Sequence, residues 1–271
     1  MNRLELQQAG IVMEDAWLVR GVTLGLEAGR LTALIGMNGS GKSTILRLLA
    51  GLWRPSEGQA RLDGQPLHML SRREIAKQVT FVAQDERLDF AFTVQDVVAM
   101  GRHPHLGRFS REGREDRQAI QDALECADVA HLAGRFANEL SGGEKKRVLL
   151  ARSLATQADI ILLDEPTSHL DVEHALEILE LCRSLSEAGK TIAMAIHDLN
   201  AVSRFADRVA VVHQGRLHAV DDSARILTSE TIEKVFGVEA EQARTPGGES
   251  VFIFHRHLSS ASSIAAAKPP K

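Results

Sequence analysis

Leu31-Thr32-Ala33-Leu34-Ile35 followed by Gly36-Met37-Asn38-Gly39-Ser40-Gly41-Lys42-Ser43 is the stretch on which the fold turns. Its first five residues are apolar on both faces, which suits a central strand covered on both sides. The next eight fit G-x-x-x-x-G-K-[ST], and a helix-like run from Thr44 to Ala50 follows. In that setting the glycines let backbone N–H groups turn inward on phosphates, and the helix N-terminus adds a positive dipole end. Lys42 reaches the outer phosphates and Ser43 can ligate magnesium. The plain alternative, a glycine-rich turn with a chance lysine, is disfavoured by the strand and helix on either side.

Working outward, Ile160-Ile161-Leu162-Leu163-Asp164-Glu165 is a second apolar strand, ending in two carboxylates. Such an end is where an acid can hold magnesium beside a phosphate loop, which assigns Asp164. Glu165, one residue on, points elsewhere, toward a position where it could polarise an attacking water. Alone, the segment reads as a buried strand capped by solvated acids. His197 follows a third strand, Thr191 to Ile196, where an imidazole could donate to a terminal phosphate. Gln84 ends the strand-like Phe81-Val82-Ala83, where an amide could touch the water shell of the metal; a surface glutamine reads equally well there. Leu140-Ser141-Gly142-Gly143-Glu144 precedes a helix, Lys145 to Ala155, so Ser141 can cap while two glycines expose N–H groups. An ordinary cap is the plain reading. A second anion site in a separate lobe implies a nucleotide held by another copy, hence a two-fold head-to-tail dimer.

The rest of the chain frames these motifs. Strands from Leu4 to about Leu67 include Val22 to Leu26 and a hairpin at Asp63-Gly64; a helical block from about Thr93 to Ala155 carries Ala119, Ile120, Ala123, Leu124 and Ala127 at helix spacing. Strands then return with helices between them, such as Val172 to Ala188, so the class is α/β with a mostly parallel sheet. With 44% apolar and 25% charged residues the 271-residue chain can bury a core, and its net charge of -4 argues against nucleic acid as a partner. Cys126 and Cys182 have no metal-ligand spacing, the start lacks a secretory pattern, and no run approaches the ~18 apolar residues of a membrane span. A reducing cytoplasm is the implied setting.

In register, these motifs resemble those of the ABC transporter ATPases: Walker A loop, Q-loop, LSGGQ-type signature, Walker B strand, D-loop and H-loop. The resemblance runs from about Leu4 to His257. It implies that residues 1–257 form one ABC ATPase domain. Within it, 1–92 and 156–257 make a P-loop α/β core with an N-terminal antiparallel β subdomain, and 93–155 make an inserted helical subdomain carrying the signature. Residues 258–271 are expected to be a flexible tail. It further implies that Gly36, Asn38, Gly39, Ser40, Gly41, Lys42, Ser43 and Thr44 bind ATP, and that Ser141, Gly142, Gly143 and Glu144 bind the ATP of the opposite copy. Asp164, with Ser43 and Gln84, is implied to hold Mg2+. Glu165 is implied as the catalytic base, His197 and Lys42 on the terminal phosphate, Gln84 as the sensor of metal and permease, and Ser168-His169-Leu170-Asp171 as the D-loop crossing the dimer.

Gly101-Arg102-His103-Pro104-His105, Thr167 to Asp171 and Glu230 to Val238 resemble elements of the importers for iron-siderophore complexes, haem and cobalamin. That likeness ranks ferric siderophore first, haem second and cobalamin third. The expected partners are a second copy of the chain, an integral membrane permease reached from the cytoplasmic face of the inner membrane and, indirectly, a substrate-binding protein. The permease is expected near Gln84 and Asp85 to Phe92. The family stacks adenine on an aromatic residue near the start, often Tyr; this chain has no Tyr, so Met13 or Trp17 is expected to take that place. The alternatives are a soluble ABC ATPase in repair, translation or iron-sulfur assembly, a module holding ATP without turnover, and a kinase, which would leave Ser141 to Glu144 unexplained.

Overall fold

The computed structural model describes residues 2–84, 86, 88, 91–107, 111–248 and 250–255. The chain opens with two long strands, β1 (Asn2–Met13) and β2 (Ala16–Glu27). Glu14 and Asp15 between them both have positive φ (48° and 63°), the backbone of a tight I′ hairpin turn. These strands are longer than the short runs expected from sequence. Next come β3 (Leu31–Ile35), α1 (Lys42–Leu49), β4 (Glu57–Leu62), β5 (Gln65–Pro66), α2 (Arg72–Gln78) and β6 (Val79–Val82). Asp63 and Gly64 turn the β4–β5 hairpin with φ of 46° and 79°, as their dipeptide leads one to expect. Helix α1 starts at Lys42, two residues earlier than read from sequence, because Gly41 in a left-handed conformation can serve as its N-cap.

Three helices follow, α3 (Val94–Ala99), α4 (Arg114–Cys126) and α5 (Gly142–Ala155), before β7 (Ile160–Asp164) returns to the sheet. The remainder alternates: α6 (Val172–Glu187), β8 (Thr191–Ala195), α7 (Leu199–Phe205), β9 (Arg208–His213), β10 (Arg216–Asp222), α8 (Ser223–Ile226), α9 (Ser229–Phe236), β11 (Glu239–Arg244) and β12 (Ser250–His255). A six-stranded sheet has the order β10-β9-β3-β8-β7-β6, parallel except for the β9–β10 pair. A four-stranded antiparallel sheet, β2-β1-β4-β5, forms the other layer.

The central strands separate two cores by simple alternation. Leu31, Ala33, Ile35, Ile161, Leu163, Ile192, Met194, Val209 and Val211 join the core made with α3 to α7. Their neighbours Leu34, Ile160, Leu162, Ala193, Ala195, Ala210 and Val212 join the core made with α1 and the antiparallel sheet. Each fully buried Leu, Ile, Val or Met among them contributes about 1.5–3 kcal/mol, so a one-residue slip in any central strand would exchange both cores and is disfavoured. The hairpin β11–β12 is tied to α7 by Asn200, whose side chain accepts from the Phe252 N–H (2.7 Å) and donates to its carbonyl (3.1 Å). Among the described residues no helix is long and apolar enough to cross a membrane.

Candidate nucleotide-binding site

The loop after β3 is a cradle that requires glycine at two points. Gly36 has φ +151°, and a Cβ there would stand 2.1 Å from the Val212 carbonyl oxygen. Gly41 has φ +108°, and its Cβ would stand 2.5 Å from Val19 Cγ1. The β9–β10 turn buttresses the loop from outside: Gly215 N donates to Ser40 O (3.0 Å), and Arg20 N of β2 donates to Gly215 O (2.8 Å). Asn38 and Gly39 form the exposed rim. Lys42 is only 5% exposed and curls back, Nζ donating to the carbonyls of Gly36 (2.9 Å) and Met37 (3.1 Å). Burial lowers its pKa, opposed by Glu165 and Asp164. Among the described residues no side chain caps α1, so its first-turn N–H groups are not claimed by a cap there and suit an anion.

At the adjacent strand ends the acids separate as expected from their spacing. Asp164, 1% exposed, accepts from Ser43 Oγ at 2.8 Å through Oδ1; burial raises its pKa, with the Ser43 bond opposing. Glu165 then turns the chain with φ +51°, strained for a side chain, its N–H donating to Ala195 O at 3.1 Å. That turn swings its carboxylate onto two other sequence-expected residues. Gln84 Nε2 donates to Glu165 Oε2 at 2.8 Å, and His197 Nε2 stands 2.5 Å from Glu165 Oε1. Gln84 and His197 each lie two residues beyond the ends of β6 and β8, whereas sequence reading placed them at the strand ends.

Two buried oxygens here, Ser40 Oγ and Asp164 Oδ2, have no hydrogen-bond partner among the described residues. With the Ser43 hydroxyl, the Asp164 carboxylate supplies the hard oxygen donors that a small divalent cation takes alongside phosphate. The residues present thus fit a nucleotide's phosphates and such a cation.

The second glycine motif is built differently. Ser141 caps α5, its Oγ accepting from Glu144 N (3.3 Å), while Ser141 N donates to Glu144 Oε2 (2.7 Å), a closed capping box. Among the described residues a Cβ added at Gly142 would meet nothing within 4 Å, whereas one at Gly143 would stand 2.5 Å from the His174 ring. Helix α5 packs on α3, α4 and α6, and α1 on the two sheets, so one chain keeps the two glycine motifs in separate layers. Met13 and Trp17 sit near the tip of the β1–β2 hairpin, 48% and 41% exposed; the indole packs over Gly10, with the Arg20 guanidinium 4.7 Å from its centroid.

Sequence reasoning missed the ties from α5 to the Gln84 segment. Lys146 Nζ donates to Gln84 O at 2.7 Å, and Arg152 forms two 2.6 Å bonds to Glu86. Both pairs span more than 60 residues and leave no local pattern. Asp85 and Phe90, part of the expected permease contact, lie outside the described residues, as does the 258–271 tail; Phe92 is 45% exposed. The Gly101 to His105 element proves architectural: a Cβ at Gly101 would stand 2.2 Å from Arg152 O. Buried Arg102 pairs with Asp116 at 2.9 Å and donates to Ala155 O, and His105 Nε2 meets Thr156 O at 2.8 Å, so the element braces the end of α5.

A glycine cradle between a buried parallel strand and a helix, with a lysine inside and an acid on the neighbouring strand, defines a phosphate-loop nucleotide-binding protein. The chain belongs to the ABC transporter family, whose pattern matches residues 19–168. It is 38% identical to the iron(3+)-hydroxamate import ATP-binding protein FhuC of Bacillus subtilis, over 91% of this chain and 92% of that one. Identity is 37% to the ferric enterobactin transport ATP-binding protein FepC of Escherichia coli (87% and 88% covered) and 38% to the hemin import ATP-binding protein HmuV of Myxococcus xanthus (92% and 96%). Among solved structures, a metal-chelate type ABC transporter in an inward-facing conformation is similar with TM-score 0.82 and 29% identity, covering 94% of this chain and 97% of that one. A dimeric bacterial ABC transporter cassette, MJ0796, is similar with TM-score 0.71 and 29% identity (81% and 98%). Like the ATP-binding subunits of this family, the chain binds ATP and hydrolyses it to power transport.

Proposed function

We propose that the chain energises import of an iron complex, a ferric siderophore first, through a separate membrane permease, and does so as a dimer with two ATP molecules between the copies. The observation that carries the hydrolytic part is the cluster at Glu165, whose two carboxylate oxygens are held by Gln84 and His197 one residue beyond buried Asp164. In this reading the N–H groups around Gly36 to Thr44 and Lys42 hold the phosphates of ATP, and Ser141 to Glu144 of the opposite copy close over them. Glu165, its carboxylate oriented on both sides, takes a proton from the attacking water, while Lys42 and His197 balance charge developing on the terminal phosphate. Ser43 and Asp164, with Gln84, would hold Mg2+, which neutralises phosphate charge when bound. Trp17 or Met13 would rest against the adenine. Residues 1–257 act as one ABC ATPase unit, with 93–155 as its helical signature subdomain.

The siderophore assignment is supported by the names of the hydroxamate and enterobactin relatives, and haem is the second reading because the hemin relative matches as much of the chain. The working position is the inner face of the membrane, on the permease, with a substrate-binding protein beyond it. The test is purification of tagged Glu165→Gln chain from native membranes with ATP present, followed by ATPase of the wild-type assembly with each loaded binding protein. Recovery of a multi-span protein and stimulation by a ferric siderophore carrier is expected. Stimulation by haem carrier alone would move the cargo, and recovery of only soluble partners would overturn the importer.

A further inference from the structure

We propose that His174 is a positioning residue that fixes the Ser141–Glu144 helix start against the end of the 168–171 loop, and that Gly143 is glycine because of this contact within one chain. The inference rests on the dimeric ATPase reading above. Helix α6 starts from Asp171, whose Oδ1 accepts from His174 N at 2.9 Å and faces His174 Nδ1 at 2.7 Å. The two bonds leave the imidazole little freedom, and its other edge lies on α5. A Cβ built on Gly143 would stand 2.5 Å from Cδ2, 2.9 Å from Cγ and 3.1 Å from Nε2 of that ring. A ring pinned at Asp171 cannot yield as a flexible chain end would. One turn further along, Arg147 of α5 pairs with Glu177 of α6, so the seam is held at two points.

The neighbouring glycine has the opposite surroundings. Among the described residues nothing stands within 4 Å of a Cβ at Gly142, so its lack of a side chain relieves no contact among them. Gly143 is buried, and its lack of a side chain serves His174. The seam also connects to the reacting end of β7: Ser168 N and Oγ both donate to the Glu165 carbonyl (3.1 and 2.9 Å), three residues before Asp171. Through this path the position of α5 is tied to the turn that carries Glu165. His174 thereby makes the two surfaces expected to meet the other copy move as one.

The experiment is a pair of double-mutant cycles on the full-length chain, read as ATP hydrolysis with the melting midpoint measured in parallel. Gly143→Ala is expected to cut hydrolysis by about tenfold or more, and adding His174→Ala to bring it back within about threefold of His174→Ala alone, a coupling typical of residues in contact. Gly142→Ala is expected to be equally damaging but not relieved by His174→Ala. The midpoint should fall by about 2–6 °C in Gly143→Ala, because a Cβ 2.5 Å from the pinned ring must displace it, and recover in the double variant, while Gly142→Ala leaves it in place; hydrolysis is read well below every midpoint. A Gly143→Ala/His174→Ala chain as slow as Gly143→Ala, equal relief of Gly142→Ala, or a Gly143→Ala midpoint that His174→Ala does not restore overturns the inference. A wild-type chain without ATPase overturns the functional reading as well, and the two failures are told apart by that control.

Discussion

Helices α1 and α5 both begin on glycine-rich loops, yet their first turns are built in opposite ways. The α1 cradle is locked within one chain: Gly36 and Gly41 are pressed by Val212 and Val19, the lysine is buried, and no side chain caps the helix. The α5 start is exposed at Ser141 and Gly142, and its cap is closed by its own Ser141 and Glu144. One site is complete in a single chain and the other is a surface. In the dimer proposed above, a helix start whose glycine meets no described residue and whose layer is separate from the cradle would take the nucleotide brought by the other copy.

The largest effect that tests this division comes from the carboxylate between them. Glu165→Gln should lower ATP hydrolysis by about 10²–10³-fold, measured as phosphate release, because a positioned general base contributes on that scale. It should also trap an ATP-dependent dimer visible by light scattering. In that background both Lys42→Ala and Ser141→Ala are expected to abolish the dimer. A trapped dimer that persists without the Ser141 hydroxyl and cap would break the comparison, since α5 would then not lie on the nucleotide.

Next in size is a contrast between glycines. Gly41→Ala forces a side chain into φ +108° and against Val19, so about 1–3 kcal/mol of strain should lower the melting midpoint by about 5 °C and weaken nucleotide binding to the single chain. Gly142→Ala meets nothing within 4 Å among the described residues and should leave the midpoint within about 1 °C, while still preventing the dimer. Equal losses of stability in the two variants would show that the α5 start is as constrained by its own chain as the cradle is.

The cradle was legible in the sequence because its requirements are local: a strand, glycines at fixed offsets and a lysine lie within the twelve residues Leu31 to Lys42. The pairing of Gln84, Glu165 and His197 was legible only as three strand ends, since parallel strands bring their C-terminal ends together without a local signal. Strands β10 and β11 leave only a weak signal, because Arg216–Asp222 alternates for just four residues before two acids and Glu239–Arg244 is mostly polar and half-solvated. The contact of His174 with Gly143 and the bracing by Arg102 were beyond reach for another reason. They join residues tens of positions apart through packing, and the glycines of Ser141 to Glu144 look alike until the fold shows what faces each of them.

Asp164→Asn should change stability in the direction opposite to Gly41→Ala. Burial raises the pKa of Asp164, so the folded chain prefers the neutral acid and the ionised form is held at a cost when the pH is near neutral. Removing the charge should raise the midpoint by about 2–4 °C near pH 7 while hydrolysis is lost. The gain should shrink as the pH falls through the raised folded pKa toward the ordinary value of 3.8, where the wild-type acid is neutral too. A midpoint that falls in the Asn variant near pH 7 would mean that the carboxylate is stabilised by contacts beyond Ser43.

The smallest expected effect lies at the α5 cap and separates its architecture from its charge. Glu144 is held below its ordinary pKa of 4.5, first by the Ser141 N–H. A depressed carboxylate adds stability above its ordinary pKa and loses it as the pH falls through the folded value. Glu144→Gln keeps an acceptor for the Ser141 N–H, because a capping box accepts either residue, so hydrolysis should stay within about twofold of wild type. Near pH 7 its midpoint should lie about 1 °C below wild type, and the two should converge as the pH falls below 4.5. If hydrolysis instead falls with the charge while the cap survives, the carboxylate itself acts on the opposing nucleotide, and the α5 start would then contribute more to the site than N–H groups and a hydroxyl.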